Sequence, residues 1–449
     1  MDKRLIVSVE LPIDSLVRRA RLRGVIEHLR TPLYRNGYAL IASTGITSIL
    51  GLLYWAIAAR TYDTETVGLN SSAISILIFL SGIAQINLQE TMIRFIPQAG
   101  SRAARLILSA YAIVIVLSTA VALIFCLGIP FWSPALGYLV ESTASAIWFV
   151  FALILWSVFV IQDAVLTGLR QAVFVPIENT IFSVLKIVLL VGLATSFANT
   201  GIFISWTAAV AVIIIPVNIL IFRRLLPRYL KNAVTRSEPI PLRQISRYIA
   251  GNYAAALFAS MSSALLPIVI MQIAGAEANA HFYLAWIIAG SLQIITANMA
   301  TSLTVEAAHD QENVAHYQRR ALLGIARLLI PLSVFLIIAA PVILRFVGES
   351  YGEEGTILLQ LLAVAALPNI YNMVQVALAR INNRMKTVIA IYGVNAGLVL
   401  GLSAVFLERF GITGVGLAWV ISQTGIAVAL FAISRRLVRK SAFVGEEAS

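Results

Sequence analysis

Apolar residues fill the chain in long blocks, and short polar or charged segments separate one block from the next. About twelve blocks reach the length of roughly 20 residues that an α-helix needs to cross a bilayer. The predicted spans lie near residues 37–60, 67–89, 103–130, 144–168, 175–197, 201–222, 248–272, 279–303, 321–347, 354–379, 387–407 and 412–434. This pattern predicts an all-α polytopic membrane protein with about 12 transmembrane helices.

The longest charged connection, RRLLPRYLKNAVTRSEPIPLRQISR at 223–247, divides the predicted spans into two sets of six. Its prolines, Pro227, Pro239 and Pro241, oppose a continuous helix. Because six is an even number, both sets start on the same side of the membrane, and the two bundles are expected to be parallel around a central cavity. The expected organisation is a basic N-terminal segment at 1–34, six-helix bundles at 35–222 and 248–435, a basic linker at 223–247 and a tail at 436–449.

The composition is 59% hydrophobic and 12% charged, and the net charge of +12 raises nucleic-acid binding as an alternative. The distribution of the charge argues against it: with the N-terminus in the cytoplasm, all but five of the 33 Lys and Arg fall in cytoplasmic segments. The five are Arg60, Arg345 and Arg409 in external loops and Lys186 and Arg327 inside spans. This bias follows the positive-inside rule and predicts a multi-pass protein of the cytoplasmic (inner) cell membrane with both termini in the cytoplasm. The basic balance then reflects topology, and no nucleic-acid partner is expected.

Residues 1–34 contain no apolar core of a signal peptide, so the first span is expected to act as an uncleaved anchor. The stretch SLVRRARLRGVIEHLR within them interleaves apolar residues with arginines. Such a pattern suits a helix that lies on an anionic membrane surface, and a solvated basic tail is the alternative.

Polar side chains recur at helical spacing inside several spans, which indicates the faces that avoid lipid. In the second span Ser81, Gln85 and Gln89 fall at i, i+4 and i+8, on one helical face. Ser and Thr at such positions are readily explained by helix packing. Gln and Asn side chains favour a wet cavity instead, although a neighbouring helix could also satisfy them. The candidate cavity residues of the second half are Asn252, Gln293, Asn369 and Asn372.

One cation lies deep in a span, in the stretch NTIFSVLKIVLLVGL at 179–193. Lys186 shares a helical face with Asn179 and Ser183, so it belongs to a polar stripe. Three interpretations stay open: a cationic site in a cavity for an anionic substrate group, a salt bridge to Asp163 or Glu178, or snorkelling to the interface.

Other cations lie nearer the ends of spans. Arg327 lies about two turns inside the ninth span, where a cavity site and snorkelling are both open. Arg35 and Arg94 lie at cytoplasmic ends, which predicts contacts with lipid phosphates or with an arriving lipid-linked substrate.

No pattern in the chain indicates an enzyme. The stretch GITGVG at 411–416 has its glycines in the wrong order for a phosphate loop and opens a predicted span, so we interpret it as a turn. His309 and His316 do not match a zinc motif, and a solvated loop accounts for them better. We therefore predict neither catalytic residues nor a metal site, and no cofactor.

The segment from 35 to 97 resembles the opening of polysaccharide and O-antigen flippases of the multidrug/oligosaccharidyl-lipid/polysaccharide exporter superfamily. These proteins have an Arg-Asn start, an Ala-Arg exit from the first span, a Gly early in the second span and an Arg-Phe pair after it. The matching residues are Arg35, Asn36, Ala59, Arg60, Gly68, Arg94 and Phe95. The stretches TGLRQ from 167, FVGESYGEEGTILLQLLAVAALP from 346 and FGITGVGLAWVISQ from 410 are also similar to that family.

The resemblance implies a V-shaped transporter that flips polyprenyl-diphosphate-linked oligosaccharide or polysaccharide units to the external leaflet. Its implied partners are the lipid-linked glycan, membrane lipids, and a glycan polymerase or glycosyltransferases. Lys186 and the Gln and Asn side chains would supply the cation for the diphosphate and the polar surface for the glycan.

Two other functions compete with this one. An ion-coupled multidrug antiporter of the same superfamily would resemble proteins that bind cations through acids in the first, seventh or tenth span. Those predicted spans carry none here, with Glu354 counted in the adjoining external loop. A membrane glycan polymerase or ligase would need a large external catalytic loop, and the longest external connection, at about 131–143, is short.

Overall fold

A computed structural model of the protein describes the backbone of residues 32–132, 134–232, 242–309, 314–382 and 384–446, and most side chains from 45 to 435. The surface helix predicted within residues 1–34 lies outside the described side chains. Within the described ranges the secondary structure is helical, without a strand.

The N-terminal half forms a bundle of helices. They are α1 (Pro32–Thr61), α2 (Thr64–Gln85), α3 (Leu88–Ala99), α4 (Ala103–Trp132), α5 (Thr143–Gly168), α6 (Phe174–Leu193), α7 (Gly201–Leu220) and α8 (Leu226–Asn232). A π-helical turn at Ile221–Leu225 joins α7 to α8. The helix α2 begins where the Asp63 carboxylate accepts a hydrogen bond of 2.6 Å from the Thr66 backbone N–H, as an N-cap residue does.

The C-terminal half forms the second bundle. Its helices are α9 (Leu242–Ala264), α10 (Leu266–His309), α11 (Val314–Val347), α12 (Glu349–Ile381), α13 (Met385–Phe410) and α14 (Ile412–Glu446). Gly275, at φ 91° and ψ 173°, interrupts α10 with a backbone conformation that only glycine adopts easily. The part of α10 before Gly275 therefore completes the seventh span with α9, and the part after it is the eighth span.

Among the described residues, 10 helical stretches are long and apolar enough to cross a membrane, and Gly45–Thr61 is a further, shorter apolar helix. One of the 10, Arg243–Ala297, contains both the seventh and the eighth span. The protein is thus a multi-pass membrane protein, and the prediction of an all-α fold with about twelve spans in two bundles is confirmed.

The second predicted span, 67–89, is wrong at its C-terminal end. The helix α2 stops at Gln85 because Ile86 and Asn87 adopt left-handed backbone conformations, with φ of 41° and 61°. Gln89 consequently belongs to the next helix, α3, and is exposed. The predicted stripe of Ser81, Gln85 and Gln89 on one helical face is therefore interrupted after Gln85.

The linker predicted at 223–247 is partly helical. Helical structure continues from α7 through the π-turn to Asn232, and α9 begins at Leu242. Pro227 does not stop this structure: it is the second residue of α8, which directly follows the π-helical turn at Ile221–Leu225. Pro239 and Pro241 lie outside the described residues.

The two bundles are joined at the end that the charge pattern places outside. The Asn279 Nδ2 of α10 lies 2.8 Å from the Gly68 carbonyl oxygen and 2.9 Å from the hydroxyl groups of Ser71 and Ser72, all on α2. The Arg60 guanidinium at the end of α1 donates to the Phe346 and Val347 carbonyls of α11. We call the contacts of Arg60, Gly68 and Asn279 across the bundles the external closure.

At the opposite end, further contacts join α2 and α3 to α9. The Tyr253 hydroxyl donates a hydrogen bond of 3.0 Å to the Ile83 carbonyl. The Arg94 guanidinium lies 4.5 Å from the centre of the Tyr248 ring. The end of the first bundle opposite the external closure is thereby attached to the first helix of the second.

Candidate functional site

Lys186 lies in a cage of aromatic rings inside the N-terminal bundle, where α6 packs against α1, α5 and α7. Its Nζ is 4.2 Å from the centre of the Trp206 ring, 4.8 Å from that of Tyr54 and 5.0 Å from that of Phe182. The residue is only 4% exposed. A cation over a ring face from which water is excluded is stabilised by about 2 kcal/mol or more. These rings therefore offset part of the cost of burying the ammonium.

The cage is held by hydrogen bonds as well as by packing. The Tyr54 hydroxyl donates to the Ile202 carbonyl at 2.8 Å and lies 3.0 Å from Ser205 Oγ. These bonds fix α1 to α7 and hold the Tyr54 ring beside Lys186. Within the described part of the chain, this geometry places the Lys186 ammonium without an acidic partner.

Neither carboxylate that the sequence offers as a partner pairs with Lys186. The structure describes no ion pair for Lys186 among its described residues, and both acids are engaged elsewhere. Gln162 Nε2 donates to Glu178 Oε1 at 2.6 Å, and Asn179 Nδ2 donates to Asp163 Oδ2 at 3.0 Å. Lys186 lies two turns further along α6 than Glu178, about 12 Å in axial distance.

Below the cage, the acids belong to a hydrogen-bonded network that crosses four helices. The Tyr111 hydroxyl of α4 contacts Asn218 Oδ1 of α7 at 2.9 Å. Asn218 Nδ2 donates to Gln162 Oε1 at 2.9 Å, and Gln162 on α5 in turn donates to Glu178 on α6. We call Tyr111, Asn218, Gln162, Glu178 and Asp163 the acid network.

The stripe predicted on α6 is present in the structure, and its members bond mainly to the protein. Asn179 donates to Asp163 and also to the Val175 carbonyl at 3.0 Å. Ser183 is buried, and its hydroxyl donates to the Asn179 carbonyl at 2.7 Å. Asn179 therefore touches the acid network, and Lys186 at the other end of the stripe touches the aromatic cage.

The remaining candidates are spread over the molecule. Gln85 is buried on α2 and donates to Ser81 Oγ at 2.7 Å. Asn252 and Gln293 are half-buried, and Asn369 is buried. Asn372 is buried inside the C-terminal bundle, where its amide donates to Gln423 at 2.9 Å. The helices that carry these four residues, α9, α10 and α12, belong to the second bundle, so the structure does not bring them into the aromatic cage.

The arginines differ in their surroundings. Arg327 is exposed on α11, beside the exposed apolar residues Leu323 and Leu328. Arg94 is exposed and lies over Tyr248, at the end of the molecule opposite the external closure. The side chain of Arg35 lies outside the described residues.

Sequence reasoning did not identify Tyr54, Trp206, Gln162 or Asn218. Each lies in an apolar run, and none repeats at a spacing that marks a site. The sequence contained one indication of them: all four are polar or amphipathic side chains at span depth, where each needs a hydrogen-bonding partner. Their convergence on Lys186 and Glu178 depends on how four separate helices pack.

Comparison with known proteins identifies the fold. No profile of a known protein family matches the chain, and no curated protein matches it in sequence. Solved structures do match it. An inward-facing multidrug resistance transporter of the MATE family in the MOP superfamily is 16% identical, with a TM-score of 0.67 over 88% of this chain and 95% of that one.

Two further structures are similar. The lipid II flippase MurJ in an inward closed conformation is 13% identical, with a TM-score of 0.67 over 88% of this chain and 87% of that one. A MOP-superfamily transporter from Pyrococcus furiosus is 15% identical, with a TM-score of 0.56 over 92% of this chain and 95% of that one. The protein therefore has the helical two-bundle fold of MOP-superfamily transporters. That fold is shared by multidrug transporters and by a lipid flippase, so the fold leaves the substrate open.

Proposed function

We propose that the protein is a flippase that moves polyprenyl-diphosphate-linked oligosaccharide or polysaccharide units from the cytoplasmic to the external leaflet of the cell membrane. The observation that carries the proposal is Lys186, a cation buried at span depth that contacts aromatic faces and no acid among the described residues. Charged groups at such positions are rare, and they mark substrate or ion pathways more often than structural sites.

The chemistry of a lipid-linked diphosphate fits such a residue. An uncompensated ammonium in a low-dielectric bundle favours an anionic partner, and a diphosphate supplies one with several acceptor oxygens. In the described conformation Lys186 is shielded, so the contact requires the cage of Tyr54, Phe182 and Trp206 to open. Alternating access between the bundles is the movement that we propose to open it.

The other predicted residues have supporting roles in this proposal. Asn179 and Ser183 continue the polar face from Lys186, and Gln85, Asn252, Gln293, Asn369 and Asn372 offer amides to a glycan. Arg94 at the cytoplasmic edge, together with Arg35, would meet lipid phosphates as the substrate arrives. The lipid tail would remain in the bilayer. Both termini would be cytoplasmic, and a glycan polymerase or glycosyltransferase would act beside the protein.

An ion-coupled multidrug antiporter is the second candidate, and one observation favours it. The buried carboxyl groups of Asp163 and Glu178 give the N-terminal bundle an acid site, although the first, seventh and tenth predicted spans carry no acid. A multidrug transporter and a lipid flippase also match the fold with the same TM-score of 0.67.

Reconstitution separates the two candidates. Purified protein in liposomes would be given a fluorescent polyprenyl-diphosphate-linked saccharide, and in parallel a cationic dye with an imposed proton or sodium gradient. We expect translocation of the lipid-linked saccharide and none of the polyprenyl monophosphate that lacks the glycan. Gradient-driven dye export without saccharide translocation would establish the antiporter instead.

A further inference from the structure

A cavity of about 510 Å³ lies between the first bundle and α9. The end of α2 and the helices α3 and α4 supply one side of it, and α9 supplies the other. Because α2 starts at the external closure and ends beside this cavity, the cavity lies at the opposite end of the molecule. Its volume falls within the range of about 300–1,000 Å³ that ligand sites have in proteins. The lining is apolar except for Thr91, Arg102, Arg105 and Ser109.

The lining residues of α4 are ordered along the helix by polarity. Arg102, Arg105, Ser109 and Ile113 fall at i, i+3, i+7 and i+11, on one helical face. At a rise of 1.5 Å per residue, this face runs about 16 Å from Arg102 to Ile113. Along it the side chains change from guanidinium to hydroxyl to alkyl. A phospholipid has the same order, from its phosphate through the glycerol esters to the acyl chains.

The apolar end of this face continues deeper along α4. Ile113 also lines a second groove, together with Ala112, Val116 and Leu117. Ile113 is 41% exposed and Val116 is 65% exposed, so this surface of α4 is open to lipid. From Arg102 to Leu117 the helix rises about 22 Å, which is half of the 40–45 Å thickness of a bilayer with its headgroups. The two arginines therefore lie at headgroup level when the groove occupies one leaflet.

The two arginines are available to an anion. Both are exposed, and neither forms an ion pair or a hydrogen bond within the described part of the chain. Residues three apart on a helix have neighbouring side chains, so both guanidinium groups can reach the same phosphate. Arginine binds phosphate through two parallel N–H donors, which makes such a contact strong and specific. Basic pockets between transmembrane helices bind anionic headgroups in this way.

We propose that this cavity binds an anionic phospholipid, with its phosphate between Arg102 and Arg105 and an acyl chain along α4 toward Leu117. Ile245 and Ile249 of α9 line the same cavity, so the bound lipid contacts both bundles. A ligand that fits only this arrangement stabilises the conformation in which α9 closes the cavity. The inference does not depend on the transported substrate, because none of these residues is a proposed substrate contact.

Native mass spectrometry of the full-length protein tests the headgroup contact. The protein in detergent would be titrated with phosphatidylglycerol or with phosphatidylcholine that has the same acyl chains. We expect one phosphatidylglycerol to be retained in preference to phosphatidylcholine. Arg102→Gln and Arg105→Gln should each weaken its binding about tenfold or more, because each removes charge-assisted hydrogen bonds. The matched control Lys386→Gln removes an exposed cation that does not line the cavity and should leave binding unchanged.

A change of bulk without a change of charge tests the acyl-chain contact. Ser109→Trp places a large ring in the groove and should prevent retention of phosphatidylglycerol while both arginines remain. Leu108→Trp is the matched control, since Leu108 is the adjacent residue, is 56% exposed and does not line the cavity. Equal loss of the lipid in both variants would contradict a site on this face of α4.

A measurement on the wild type covers the case in which a variant folds poorly. Phosphatidylglycerol with a photoreactive group in one acyl chain should cross-link to α4 within 106–117 and to α9 near 245–249. Cross-links confined to other helices would overturn the proposal, and so would equal retention of the two phospholipids. Displacement by stoichiometric polyprenyl-diphosphate-linked saccharide would assign the site to the transported substrate instead. Displacement by an equal concentration of inorganic phosphate would show that the arginines bind a free anion and not a lipid.

Discussion

The behaviour of Lys186 depends on what replaces water around its ammonium. Aromatic faces supply part of the stabilisation, since three ring centres lie within 5.0 Å of Nζ. Rings attract a cation without neutralising it, so the net charge stays available to an anion. A carboxylate partner would have cancelled that charge. An aromatic cage of this kind is compatible with the anion binding that we propose for Lys186, whereas a salt bridge would oppose it.

Substitution of Lys186 tests this reading. Lys186→Ala should reduce translocation of the lipid-linked saccharide by about tenfold or more, because a charge-assisted contact contributes about 1.5–3 kcal/mol. Lys186→Arg should retain part of the activity, since it keeps the charge although its planar group fits the cage differently. The measurement is the initial flipping rate in liposomes at equal protein content.

Two controls separate binding from folding in that experiment. Lys386→Ala removes an exposed lysine in the first turn of α13 and should leave the rate unchanged. The double variant Lys186→Ala with Asp163→Ala tests a salt bridge: recovery of yield and activity in the double variant would contradict substrate binding by Lys186.

At the scale of single helices, α2 shows how one residue sets a close approach. Gly68 lies against the Ala276 carbonyl of α10, and an added Cβ would collide with that backbone oxygen. The same helix ends at Gln85 in two left-handed residues, Ile86 and Asn87, which redirect the chain into α3. The N-terminal part of α2 thus packs closely against the second bundle, and its C-terminal end turns into α3.

Gly68→Ala should destabilise the protein because backbone atoms of α10 cannot move aside as a flexible side chain would. We expect a loss of about 1–3 kcal/mol in the free energy of unfolding. Gly82→Ala is the matched control on the same helix, since nothing lies within 4 Å of a Cβ added there. Thermal unfolding in detergent gives the comparison, and an equal loss of stability in both variants would contradict the close-approach argument.

At the scale of the whole molecule, the external closure joins the two bundles at one end, and Tyr253 and Arg94 join them at the other. Asn279 and Arg60 make hydrogen bonds across the bundles, and both donors reach backbone carbonyls. Hydrogen bonds that break when the bundles separate stabilise the closed arrangement only. Their removal should therefore change the ratio of conformations.

Arg60→Ala and Asn279→Ala should each increase the population that is open to the outside. A hydrogen bond to a charged donor contributes about 1.5–3 kcal/mol, so the ratio of open to closed molecules should rise roughly tenfold or more for Arg60→Ala. Spin labels at positions 65 and 349, in a background with Cys126→Ala, report the distance between the bundles. Asn382→Ala removes an exposed amide that bonds within its own helix and should leave that distance unchanged.

The orientation in the membrane is a separate prediction at the same scale. Single cysteines in 61–66, 131–143 and 348–354, in a background lacking Cys126, should react with an impermeant thiol reagent in intact cells, because charge bias places these loops outside. Labelling at 232–240 under the same conditions would show the opposite orientation.

The sequence by itself determined the number of spans, their division into two bundles and the depth of Lys186. These properties depend on the length and order of the apolar runs, because a helix needs about 20 apolar residues to cross a bilayer. The same reasoning failed at Gln89, because the helix ends where Ile86 and Asn87 adopt left-handed backbone conformations. Asn87 is a weak signal for such an end, since Asn adopts this conformation more readily than most residues, but Ile86 is not one.

Only the tertiary structure decided what surrounds the charges. The sequence offered Asp163 and Glu178 as alternative partners of Lys186, and it left open whether either pairs with it. Packing of α1, α4 and α7 around α5 and α6 directs Tyr54 and Trp206 to the ammonium and Gln162 and Asn179 to the acids. The physical reason is that a side chain's partner depends on the rotation of a neighbouring helix about its axis. The membrane favours apolar residues around much of each helix, so the apolar pattern of the sequence does not fix that rotation.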